Sequence, residues 1–155
     1  MSVYLDHNAS APVRPEAAAA VAEALAEGGN PSSVHGAGRL ARGRVERART
    51  LIARSVCARA EDLIFTSGGT EANNLAVHAA LALGARRIVV SAIEHDAVRA
   101  AADASGAPVA VWPVNRDGRA DLAWLEADLA AAEVQTLYCL MAANNETGVI
   151  QSVGE

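Results

Sequence analysis

From residue 87 onward the chain carries short, unbroken apolar runs separated by stretches of helical spacing: Arg87-Ile88-Val89-Val90-Ser91, Pro108-Val109-Ala110-Val111-Trp112 and Thr136 to Met141. A strand that is apolar at consecutive positions is buried on both faces, and parallel strands need long crossovers that helices supply. Helices are expected over Leu75–Leu81, over Ala97–Ala104, and from an Asp121 cap through Leu129. Leu63-Ile64-Phe65 reads as a further buried strand ahead of them. The expectation is an α/β architecture, with a mostly parallel sheet and flanking helices. The run ending at Trp112 is followed only by Pro113-Val114, which suits a sheet edge.

The first sixty residues read differently. Val3-Tyr4-Leu5 is a brief extended segment. Pro15 opens an alanine-rich helix through Ala26. Gly28-Gly29-Asn30-Pro31-Ser32-Ser33 is a loop, and a second helix runs from about Ala37 to Val56 with a stripe of Leu40, Val45, Ala48, Leu51 and Ile52. Its arginines (Arg39, Arg42, Arg44, Arg47, Arg49) lie mostly off that stripe, as a solvated basic face or a surface for docking something acidic.

At 155 residues the chain can bury one ordinary core, and its 52% hydrophobic content is mostly Ala, Val and Leu. No apolar run nears the ~20 residues that span a bilayer, and the N-terminal residues, with no basic segment followed by an apolar stretch, lead us to expect no secretory signal. A net charge of -5 argues against nucleic acid. A soluble cytoplasmic chain with no metal site is expected. Cys57, on a helical face after Ile52 and Val56, and Cys139, in a strand, read as buried packing residues rather than nucleophiles. All 13 basic residues are arginine, so no side chain here can form a Schiff base.

Chemistry gathers after the strands, where parallel sheets collect ligands. Thr66-Ser67-Gly68-Gly69-Thr70-Glu71-Ala72-Asn73-Asn74 turns into a helix through small residues, so free N–H groups and the helix dipole suit a phosphate. The alternative is a turn in which Ser67 or Thr70 caps the helix. His95 offers a ring for stacking and a nitrogen for proton transfer, or a helix cap shared with Asp96. Asn145 offers an amide donor, or a stabilised turn before Gly148. Together they favour a phosphorylated aromatic cofactor, a class that includes pyridoxal phosphate.

Five segments extend this reading: Tyr4-Leu5-Asp6-His7-Asn8-Ala9, Gly29-Asn30-Pro31-Ser32-Ser33-Val34-His35, Phe65 to Asn74, Glu94-His95 and Asn144-Asn145-Glu146-Thr147-Gly148-Val149. In order and spacing the chain resembles the NifS/IscS-type cysteine desulfurases, class V aminotransferases dependent on pyridoxal 5'-phosphate. The resemblance implies fold type I, with residues 1–14 joining a small domain and 15–155 forming the N-terminal half of the large one. It implies that Gly69 and Thr70 hold the cofactor phosphate, that His95 stacks on the ring and assists proton transfer, and that Asn145 lies near ring hydroxyl and substrate carboxylate. Asn8 and Asn30 would border the substrate entrance.

The implied activity converts L-cysteine to L-alanine and leaves a persulfide for iron–sulfur cluster assembly or thiolation. The implied partners are a second copy in a homodimer and a sulfur acceptor or scaffold protein. The family's Schiff-base lysine and sulfur-accepting cysteine fall beyond the matched stretch, so residues 1–155 alone are expected to be inactive. A selenocysteine lyase or other class V relative, and a non-catalytic half-protein, remain alternatives.

Overall fold

The computed structural model describes residues 3–154. The chain divides into two compact units, Met1–Phe65 and Thr66–Glu155.

In the first unit, helix α1 (Pro15–Glu27) begins with proline at a position where its missing N–H costs nothing. It ends at Gly28, whose φ of 61° lies in the left-handed region that stops a helix. Helix α2 (Gly36–Ser55) is capped by His35, whose Nδ1 accepts from the Gly38 N–H at 3.3 Å. Gly38 is buried, and a methyl group there would run into the carbonyls of Ser33 and Asn30. The second loop and the start of α2 therefore approach as closely as backbone allows. Arg44 reaches Glu27 at 2.5 Å and Glu23 at 3.6 Å. Arg49 donates to the Leu63 carbonyl at 2.5 Å and stacks 4.8 Å from the Phe65 ring centre. Arg39 donates to the Val34 carbonyl at 2.5 Å, so three of the five arginines expected on a solvated face bond within the unit itself.

Leu63–Phe65, expected as a strand, is not one among the described residues. Leu63 has extended angles (φ -97°, ψ 125°), but the segment has no ladder partner among the described residues, and Arg49 takes its Leu63 carbonyl. An extended segment without a neighbour is not a sheet member. Val3–Leu5 likewise pairs with nothing described.

Cys57 departs from expectation as well. Helix α2 ends at Ser55, and Cys57 follows with φ 54°, so it is exposed beyond the helix rather than packed on its stripe. The Ala58 N–H closes the turn on the Ala53 carbonyl at 2.9 Å.

The second unit alternates as the apolar runs predict: α3 (Gly69–Ala82), β1 (Arg87–Ser91), α4 (Asp96–Ala104), β2 (Val109–Trp112), α5 (Leu122–Ala131) and β3 (Thr136–Cys139). The strands form a parallel sheet in the order β2-β1-β3. Central β1 explains its own sequence, for Ile88 and Val89 are fully buried and Val90 nearly so. Ile88 and Val90 join Val77 of α3 and Ala101 and Ala102 of α4 in the core. The two alanines let α4 lie close to the sheet, and each fully buried aliphatic side chain stabilises by about 1.5–3 kcal/mol. β2 is at an edge, as expected, and β3 forms the other edge of this sheet.

Arg87, the first residue of β1, grips Asp128 of α5 through two bonds of 2.8 Å, and the Tyr138 hydroxyl of β3 donates to the same carboxylate at 2.8 Å. Arg87 thereby holds the Asp128 carboxyl below its ordinary range.

Candidate functional site

The turn into α3 has no side-chain cap. Gly68 is the capping residue, and neither Ser67 nor Thr70 caps the helix with its hydroxyl. The Ser67 N–H instead donates to Glu71 Oε2 at 2.5 Å, and the Thr66 hydroxyl donates to the Gly68 carbonyl at 3.1 Å. Hydrogen bonds from Ser67, side chain first and backbone second, hold the Glu71 carboxyl below its usual value. The first intrahelical bond is from the Ala72 N–H to the Gly68 carbonyl at 3.1 Å. The N–H groups of Gly69, Thr70 and Glu71 precede it and have no helical acceptor.

A methyl group added at Gly68 or Gly69 would meet only open space, so the packing of this unit does not demand glycine there. Backbone left bare and open at a helix start fits an anion. Glu71 shares that turn, so an anion would sit beside a carboxylate.

His95 opens α4. Its Nδ1 accepts from the Ala97 N–H at 3.0 Å, so the neutral ring carries its proton on Nε2. The capping alternative is therefore real, yet capping with one nitrogen orients the exposed ring and leaves the other nitrogen to face outward. Asp96 is the first residue of α4, not part of the cap.

Asn145 is exposed, and its Nδ2 donates to Glu146 Oε1 at 2.8 Å. The preceding residue does more structural work. Asn144 Nδ2 reaches the Ile93 carbonyl at 3.1 Å, joining the loop after β3 to the loop after β1. His95 and Asn145 consequently stand on neighbouring loops at one rim of the sheet. An open cleft of about 460 Å³ lies there, lined by Asn73, Ala76 and Val77 of α3, by Glu94 and His95, and by residues 137–141. Thr70 is one turn before Asn73 on the same helical face.

Asn8 and Asn30 belong to the first unit, and both are exposed. Asn30 shapes its own loop, its Oδ1 accepting from the Ser32 N–H at 2.9 Å and its carbonyl from the Ser33 N–H at 3.0 Å.

Among the described residues no cluster of His, Cys, Asp and Glu could hold a metal ion, and no helix is long and apolar enough to cross a membrane. Cys139 is half-buried at the cleft. Desolvation first, and the Glu94 charge second, push its thiol up to about 11, which leaves it a poor nucleophile.

The profile of a family described as Aminotransferase class-V matches residues 3–155. The chain belongs to that family. Class-V aminotransferases work with pyridoxal 5'-phosphate, and the open α3 turn and the flat, exposed His95 ring fit a phosphate ester on a planar heterocycle. The class-V fold here is the α/β arrangement of type I enzymes, as its structural neighbours show.

The NifS-like protein of Rickettsia africae superposes with a TM-score of 0.84 at 34% identity, covering 96% of this chain and 42% of its own. The cysteine desulfurase IscS of Dictyoglomus turgidum is 39% identical over 99% of this class-V chain and 40% of its own length. The selenocysteine lyase of Rattus norvegicus is 36% identical over 99% of this chain and 41% of its own. The chain thus spans about two fifths of the length of these relatives.

Sequence reasoning gave Gln151 no role and treated Glu94 and Asn144 only as parts of runs, although Glu94 and Gln151 are buried. Gln151 ties the turn after β2 by accepting from the Ala120 N–H at 2.9 Å and donating to the Gly118 carbonyl at 2.8 Å. Burial of a polar residue is the one signal that would have found them, and periodicity does not reveal it.

Proposed function

We propose that this chain is the N-terminal part of a cysteine desulfurase, which converts L-cysteine to L-alanine and passes the sulfur on as a persulfide. The observation that supports the reading is that α3, His95 after β1 and the residues that follow β3 border one cleft, with the uncapped turn at the start of α3 and with Asn144, the neighbour of Asn145, bonded to the loop after β1. Bound pyridoxal 5'-phosphate would supply an electron-withdrawing ring that stabilises negative charge at the substrate's α-carbon.

The residues here bind and orient. Gly69 and Thr70 offer N–H groups, and Thr70 a hydroxyl, to the phosphate. His95, turned by its Nδ1 bond to Ala97, lies against the ring and holds a proton at Nε2. Asn145 donates to the ring hydroxyl or the substrate carboxylate, and Asn8 and Asn30 border the substrate entrance. Residues 1–14 join a small domain, and residues 15–155 build the first half of the large one. The enzyme acts as a cytoplasmic homodimer and hands sulfur to an acceptor or iron–sulfur scaffold protein. These 155 residues contain no lysine, so the covalent cofactor anchor is not among them.

The test is to purify the protein as its gene encodes it, add cofactor, and assay L-cysteine and L-selenocysteine for alanine and released chalcogen. Alanine from cysteine is expected, and a cofactor band with no alanine would overturn the reading. Turnover of selenocysteine alone would favour a selenocysteine lyase, which the identity with the rat enzyme keeps as the second reading. Residues 1–155 by themselves should release sulfide no faster than free pyridoxal phosphate does.

A further inference from the structure

Two side chains that the proposed chemistry does not use join the loops that carry His95 and Asn145. Glu94 is only 8% exposed. Its Oε1 accepts from the Ser91 hydroxyl at 3.2 Å and from the backbone N–H of Met141, beyond the neighbouring strand. Asn144 makes the return link through Nδ2, which reaches the Ile93 carbonyl at 3.1 Å and Met141 Sδ at 3.4 Å. Its Oδ1 accepts from the N–H groups of Glu146 (3.0 Å) and Thr147 (2.8 Å) and from the Thr147 hydroxyl (3.1 Å).

We infer that Glu94 and Asn144 are positioning residues, a two-point clamp that sets where His95 stands relative to Asn145. The inference rests on the cofactor reading above for what those two residues hold. Each anchor immediately precedes one of them in sequence, so the backbone that the anchor fixes is the backbone from which the working side chain projects. Each link also crosses a long stretch of chain, 47 residues for Glu94 to Met141 and 51 for Asn144 to Ile93. Links of that kind hold separate loops together rather than shaping one turn. Burying a carboxylate is costly unless donors meet it, and a charge-assisted bond to Met141 is stronger than a neutral one. The clamp thus spends a buried charge on joining the two loops.

The test uses the protein as its gene encodes it, with Glu94→Ala, Asn144→Ala, Glu94→Gln and, as control, Gln151→Ala. Hydrogen exchange at residues 141–148 and the absorbance and circular dichroism of added pyridoxal 5'-phosphate are read in each. Removing either anchor should speed exchange at 141–148 by about tenfold or more, as expected for the loss of a bond to a buried polar group, and should shift the cofactor's dichroic band. Glu94→Gln keeps an acceptor for the Met141 N–H and should restore most of both signals. Gln151→Ala should lower Tm and leave the band in place.

Unchanged exchange and band in both alanine variants would overturn the clamp, as would a band shift of equal size in Gln151→Ala. If Glu94→Ala fails to fold, Asn144→Ala decides by the same two readouts. If the unmodified protein gives no cofactor band, the functional reading falls, while exchange at 141–148 still decides whether the anchors join the loops.

Discussion

Alanine-rich helices serve both units, but only the second unit closes a core around them. There α3 and α4 pack on a sheet whose central strand is buried from Ile88 to Ser91. In the first unit Gly38 and Ala53 are the buried residues of α1 and α2, while Val21, Leu25, Leu40 and Leu51 are well exposed. The contrast teaches what each kind of stretch can do alone. A βα alternation buries its strands against its own crossovers, whereas two helices and two loops bury little more than a close approach at one glycine.

The strongest way to break this comparison is a pair of core and surface truncations. Ile88→Ala should cost about 2–5 kcal/mol in urea unfolding of the gene-encoded protein. Leu40→Ala, at a side chain 74% exposed, should stay within about 0.5 kcal/mol. A loss at Leu40 as large as that at Ile88 would mean that another part of the protein covers α2.

The two cysteines offer a sharper contrast. Cys57 is exposed, and Cys139 has its thiol raised from 9.0 to about 11, so at any pH below that range its thiolate is about a hundredfold scarcer than an ordinary thiol's. Iodoacetamide with mass spectrometry should label Cys57 first from pH 7 to 10. Because the folded thiol binds its proton more tightly than the unfolded one, Cys139 contributes stability below pH 9. That contribution is lost as pH rises through 11. Equal labelling of both at pH 8 would show that β3 opens.

The smallest effects concern helix starts. In the second unit Asp121 caps α5, accepting from the Trp124 N–H at 3.1 Å, whereas Arg14 caps α1 with no side-chain bond. Asp121→Ala should lose about 0.5–2 kcal/mol, and Arg14→Asp should gain about 0.5–1 kcal/mol. Urea midpoints measure both, and a loss on Arg14→Asp would mean that the arginine serves another contact.

Most of the second unit was legible because unbroken apolar runs and capping residues state a βα alternation locally. Asp121, His95 and Pro15 each mark a helix start that the structure keeps within a residue. Leu63–Phe65 was misread because apolar character records a wish for burial, while a strand needs a neighbour that composition cannot name. Cys57 was misread because the helix ends at Ser55, one residue before the expected Val56, and the chain then turns with Cys57 at φ 54°. At the site, His95 and Asn145 were visible as chemistry. The roles of Glu94 and Asn144 were not, since neither a loop carboxylate nor a loop carboxamide shows in sequence which distant backbone group it will meet.

What the residues decided unaided is local: where helices begin, which strand is covered on both faces, that no lysine is present, and that a small-residue turn leaves N–H groups bare. These follow from backbone sterics, side-chain shape and inventory. Only the tertiary structure decided that the loops after β1 and β3 are joined, because hydrogen bonds across some fifty residues depend on strand order and register. That order comes from packing the whole core at once, and no window of sequence contains it.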